Sequence, residues 1–130
     1  MTQSIEYLDV HDLLEIARAL IPGVQVRDLG LLQSAAARPA STVFGDEAYK
    51  TFTLKVAALM HSIGRNHALI DGNKRLAWAA GRTFCLLNGY DLRFSVDDAE
   101  MLIQGIAQGQ LDVSDIEMLL RDAMIASPNH

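Results

Sequence analysis

Two stretches of apolar residues at helical spacing, separated by one short polar segment, constrain this chain more than anything else in it. Upstream, Tyr49, Phe52, Val56, Leu59 and Ile63 predict a long helix from about Ala48 to the neighbourhood of Gly64. Downstream, Leu76, Ala80, Phe84 and Leu87 mark one face of a second helix over Gly72 to Leu87. Recurrence at three- and four-residue intervals lines one side of a helix and buries it. Ala77, Ala79 and Gly81 keep the second helix slim enough for close neighbours, so it is expected at the centre of the fold.

Shorter helices are predicted around this pair. Asp9 can cap a helix carrying Leu13, Leu14, Ile16, Ala17 and Leu20, which Pro22 and Gly23 end. Asp28 offers a cap for a short helix through Leu29, Leu32 and Ala36, closed by Pro39, and Arg38 to Glu47 reads as a loop. After the stop at Asn88 and Gly89, Asp91 to Phe94 forms a candidate strand for pairing with the piece near Tyr7. Ser95 with Asp98, and Ser114 with Glu117, have the spacing of capping boxes that open two further helices. The expected fold is all-α: one compact domain over residues 1–130 with about six helices and a candidate for one short two-stranded pairing.

Composition narrows the function. Half of the residues are hydrophobic and 21% are charged, a globular balance. With 11 Lys and Arg and a net charge of −5, no broad basic surface is available for a nucleic-acid backbone, so no direct nucleic-acid partner is expected. Cys85 is the single cysteine, which excludes an intramolecular disulfide and a multi-thiolate zinc site and reads as a core residue. The first residues lack a basic region followed by an apolar one, and no apolar run approaches the ~20 residues of a membrane span. A cytoplasmic protein without a membrane partner is expected.

The polar segment Arg65-Asn66-His67-Ala68-Leu69-Ile70-Asp71-Gly72-Asn73-Lys74-Arg75 concentrates the chemistry. Asp71 is placed to cap the following helix, whose first N–H groups attract phosphate. Gly72 permits close backbone approach, Lys74 supplies a point charge and Arg75 a planar fork for phosphate oxygens. The spacing is not that of a Walker loop. His67 can act as a general base, and Asp71 can hold magnesium, a hard cation that prefers oxygen. A base, a metal carboxylate and a cationic cradle suffice for phosphoryl or nucleotidyl transfer. The bland alternatives are a loop histidine, a simple cap and a solvated basic face. His61, on the preceding helix, is read as a structural histidine.

The segment His67 to Arg75 resembles the HxFx(D/E)xN(G/K)R signature of the Fic/Doc superfamily. Gly30-Leu31-Leu32-Gln33-Ser34-Ala35, Ala37-Arg38-Pro39 and Lys55 to Asn66 look like its death-on-curing (Doc) branch, so the likeness spans roughly residues 5 to 125. The resemblance implies ATP and Mg2+ as cofactors, His67 as the base for a target hydroxyl, Asp71 as the magnesium ligand, and Asn73, Lys74 and Arg75 as phosphate contacts, with Arg65 assisting phosphate or substrate. Superfamily members that transfer AMP have Gly at the position of Lys74 and a second Arg at that of Trp78. The Doc branch shares the Lys and phosphorylates a threonine of elongation factor Tu, arresting translation. The resemblance thus implies a Doc-type toxin kinase. The alternatives are an AMP or other NMP transferase and an inactive helical binding module. Leu69 stands where the signature has Phe. No Glu is followed by Gly or Asn, as a self-inhibiting helix of this superfamily requires, which implies inhibition by a separate antitoxin whose disordered tail folds in a groove.

Overall fold

A computed structural model describes residues 4–128. The order is α1 (Val10–Leu20), α2 (Leu29–Ala37), a single tight turn Arg38–Ala40, β1 (Thr42–Val43), β2 (Asp46–Glu47), α3 (Phe52–Asn66), α4 (Asn73–Leu87), β3 (Tyr90–Leu92), α5 (Val96–Ala107), α6 (Val113–Ala123) and β4 (Met124–Ala126). Among the described residues, six helices make the expected all-α fold, with two small two-stranded sheets where one pairing was expected.

The centre is α3 and not α4. Residues 55–60 and 62–64 of α3 are all buried, and the helix packs against α2, α4, α5 and α6. The small residues of α4 serve close approach to this neighbour: a side chain at Gly81 would collide with Met60. Leu13, Leu32, Phe84, Ile106, Ile116 and Leu120 converge on the same core from the surrounding helices.

Local chemistry shifts several boundaries. The segment Arg38 to Glu47 is not a plain loop: β1 and β2 form a hairpin, Thr42 opposite Glu47 and Val43 opposite Asp46, turned by Phe44 (φ 51°) and Gly45 (φ 84°). Two successive positive φ angles suit the right-handed twist of a two-residue hairpin. Ala48 extends that hairpin by donating to the Ser41 carbonyl at 2.9 Å, so α3 begins later than its apolar period implied, with Thr51 as cap. Buried Lys55 ties the hairpin down, donating to Glu47 at 3.0 Å and to the Tyr49 carbonyl.

α6 is opened by Asp112 and Asp115 in a reciprocal capping box, not by Ser114 and Glu117. Glu117 instead faces inward, accepting from Thr53 and pairing with Arg121. Ser95 caps α5 as expected by accepting from the Asp98 N–H.

The strand pairing also differs from expectation. β3 runs antiparallel to β4, with Tyr90 opposite Ala126 and Leu92 opposite Met124, and not to the piece near Tyr7. The N-terminal segment is held by a side chain: Asn88 accepts from Glu6 N at 2.9 Å and donates to Glu6 O at 2.8 Å. With that edge satisfied by an amide, the chain leaving α6 supplies the ladder.

Candidate active site

α3 ends on His67, whose backbone is left-handed (φ 51°, ψ 50°). That conformation halts a helix, and glycine or asparagine ordinarily adopts it. Here a histidine does, so something else must hold the turn. The linker between α1 and α2 supplies the grip. The N–H groups of Arg27 and Asp28 donate to Ala68 O at 2.8 and 3.0 Å, Ile70 N donates to Gln25 O at 3.0 Å, and Val26 bridges Leu69 antiparallel. The Arg27 guanidinium donates to His67 O from Nε (2.9 Å) and Nη2 (2.6 Å), and to Asn66 O at 3.3 Å. Nothing in the polar linker marked Arg27 beforehand, because its partner lies 40 residues away.

Leu69 is buried, so the aliphatic residue anchors the loop in the core where the family signature has Phe. Asn73 braces the other side: Oδ1 accepts from Leu69 N at 3.0 Å and Nδ2 donates to Leu69 O at 2.9 Å. Both ends of its amide are therefore engaged within the loop.

The expected helix cap is corrected. Gly72, at φ 94°, occupies the cap position of α4 with no side-chain cap bond, and Asp71 Oδ1 accepts only the adjacent Gly72 N–H at 2.9 Å. The left-handed turn at Gly72 diverts the Asp71 carboxylate from the first helical turn. A β-carbon at Gly72 would also run into Ile21, at the end of α1. With no side-chain cap, the N–H groups of the first turn of α4 retain their capacity for an anion. Lys74 and Arg75 project from that turn and are exposed.

Lys74 Nζ donates to Gln104 Oε1 on α5 at 2.9 Å. Arg65, exposed near the end of α3, donates to Ala107 O at 2.7 Å and lies against Gly109, closing the C-terminal end of α5. α5 is thus bonded to both flanks of the loop. A groove of about 1170 Å³ opens between α4 and α5, lined by Lys74 and Arg75 together with Leu20, Trp78, Phe94, Val96, Met101 and Ile103. Trp78 and Phe94 meet edge to face at 5.6 Å. His67, Asp71 and Arg65 lie outside this lining.

Only one Asp71 oxygen is engaged, by Gly72, and the residue is exposed. Among the described residues no cluster of three or more His, Cys, Asp or Glu could cage a metal ion. The set fits a magnesium ion held by one carboxylate together with phosphate oxygens and water, its usual mode of binding.

Helix end, turn and helix start thus carry a histidine, a carboxylate and two cations on one braced loop. The sequence profile of the Fic/DOC family matches residues 7–85, which contain it whole. The chain belongs to the Fic/DOC family. A Mycolicibacterium smegmatis (strain ATCC 700084 / mc(2)155) protein called Toxin Doc is similar to this Fic/DOC chain, with 48% identity over 114 residues, 85% of this chain and 88% of the relative.

Two other groups of this Fic/DOC domain stay structural. His61 Nδ1 sits 3.0 Å from Arg38 Nη1, and Arg38 also donates to Tyr49 Oη (2.7 Å) and Ser62 Oγ (2.9 Å). Burial, then the Arg38 and Arg65 charges, hold the His61 pKa below its ordinary value, against a smaller opposing pull from Asp112. Burial pushes the Cys85 thiol up to about 12, leaving an inert core sulfur. Among the described residues no helix is long and apolar enough to cross a membrane.

Proposed function

We propose that this chain is the toxin of a toxin–antitoxin pair and acts as a protein kinase, moving the γ-phosphate of ATP to a Ser or Thr hydroxyl of a translation protein. Its resemblance to the Doc branch points to elongation factor Tu, with arrest of translation and growth as the result. The observation that carries the choice of reaction is Lys74. Its side chain leaves the first turn of α4 and is held by Gln104, at the position where AMP-transferring relatives keep glycine. Trp78, where those relatives have a second arginine, packs on Phe94 as a groove wall.

In this reading His67 accepts the proton of the target hydroxyl as its oxygen bonds the γ-phosphorus and the bond to the ADP oxygen breaks. Asp71 would hold Mg2+, which supplies charge neutralisation across the phosphates when bound. Lys74, Arg75 and the first N–H groups of α4 bind the anionic chain, with Gly72 turning the backbone into that helix start against Ile21 and Arg65 assisting from the flank. Asn73 supports the set by shaping the loop. The partner is an antitoxin whose disordered tail folds in the apolar groove between α4 and α5.

The deciding experiment follows the label. Incubated with bacterial lysate and magnesium, the protein transfers phosphate from γ-labelled ATP and none from α-labelled ATP. Label from the α position alone would overturn the kinase reading, and His67→Ala must abolish both transfer and growth arrest.

A further inference from the structure

The left-handed backbone at His67 requires an explanation beyond helix termination. Among the described residues only His67 and Phe44 have positive φ without being glycine. Phe44 sits in a hairpin turn that favours it, whereas His67 ends a fifteen-residue helix whose last carbonyls need donors. A residue held in this region persists only when its surroundings over-determine it. Left to the helical preference of its neighbours, residue 67 would continue α3 and displace the start of the loop that follows.

Arg27 opposes that continuation. Its guanidinium places two N–H groups on the His67 carbonyl and one on that of Asn66, taking up the acceptors that an extended α3 would direct to later N–H groups. A planar, always-charged fork can hold one carbonyl with two donors, which lysine cannot match. The Arg27 backbone is itself anchored, since its N–H and that of Asp28 both donate to Ala68 O. One residue therefore grips the chain on both sides of the His67 peptide, by its main chain at Ala68 and by its side chain at His67.

We infer that Arg27 is a positioning residue for His67: it fixes the left-handed backbone from which the imidazole is presented to the loop, without itself touching substrate. The catalytic consequence rests on the reading of His67 as the base, while the conformational one does not.

The test compares the full-length parent with Arg27→Ala and Arg27→Lys. Three quantities are read: the 13Cα and 13Cβ shifts of His67, the kcat and KM for ATP in γ-phosphate transfer, and thermal melting. In Arg27→Ala the His67 shifts leave their left-handed values and kcat falls by about 10²-fold, the scale of a misplaced catalytic group. KM for ATP stays within about twofold, because the phosphate cradle is untouched. Arg27→Lys, keeping the charge on a single donor nitrogen, lies between, and millimolar guanidinium restores part of the activity of Arg27→Ala. Unchanged His67 shifts in Arg27→Ala, or parental kcat, would overturn the inference. So would a loss of kcat in both variants that merely follows their unfolded fraction. A parent without any phosphate transfer would instead sink the kinase reading, and the His67 shifts would still decide the role of Arg27.

Discussion

Asn73 closes the His67–Arg75 loop on Leu69, accepting its N–H at 3.0 Å and donating to its carbonyl at 2.9 Å. The carboxamide thereby acts as the neighbouring strand of a two-bond ladder. Asn73→Asp keeps an acceptor for the N–H but sets a carboxylate oxygen against the Leu69 carbonyl. We expect a stability loss of about 1–3 kcal/mol, the cost of an unpaired half-buried acceptor, together with strongly reduced transfer. Paired thermal melts and label-transfer rates check this, and a parental melt would show that the ladder contributes nothing.

Gly72 and Ile21 form the contact that seats α1 against the loop. Gly72→Ala meets both a positive φ and the Ile21 side chain, and should destabilise by about 1–3 kcal/mol through strain and overpacking. Ile21→Ala removes the second obstacle alone. The double variant should then be less destabilised than the sum of the singles, measured by urea unfolding. Strict additivity would show that α1 relaxes freely away from the loop.

Lys74→Gly removes a cation from the proposed phosphate cradle and the Gln104 partner from α5. Phosphoryl transfer should fall by ~10²-fold or more, as when other preorganised electrostatic donors are lost. AMP transfer should stay absent in the single variant, because Trp78 still occupies the place of the second arginine. Adding Trp78→Arg gives the minimum set for which α-labelled transfer is to be sought. Full kinase activity in Lys74→Gly would make Lys74 a solvated charge.

His61 gives the fold a pH dependence whose sign can be stated. Its folded pKa lies below the ordinary 6.5, because burial and the charges of Arg38 and Arg65 disfavour the imidazolium more than Asp112 favours it. The unfolded chain then binds more protons, so stability is complete above about 6.5 and declines as pH falls from there towards the lowered value. His61→Gln retains an acceptor for Arg38 and should flatten denaturant midpoints across that window. An unchanged slope would place the effect elsewhere.

Much of this molecule could be read along the chain. Val56, Leu59 and Ile63 predicted α3, Leu76, Ala80 and Phe84 predicted α4, and Asp9, Asp28 and Ser95 proved to be the caps of their helices. Such signals are local, since a helical face and a cap depend on residues within a turn or two of each other. Where two local signals competed, tertiary structure chose. Ala48 fell to the hairpin, and Glu117 turned inward to Thr53 and left the cap of α6 to Asp112.

The nine contiguous residues from His67 to Arg75 carry the family and the chemical inventory of the loop, so sequence by itself determined both. Tertiary structure alone decided how that inventory is held. Arg27 reaches His67 across 40 residues, Gln104 reaches Lys74 across 30, and Asn88 reaches Glu6 across 82. It also made α3 the buried centre and β4 the partner of β3. A hydrogen bond between distant residues leaves no periodicity or spacing in the chain, because it depends on which surfaces the packed core brings within about 3 Å of one another.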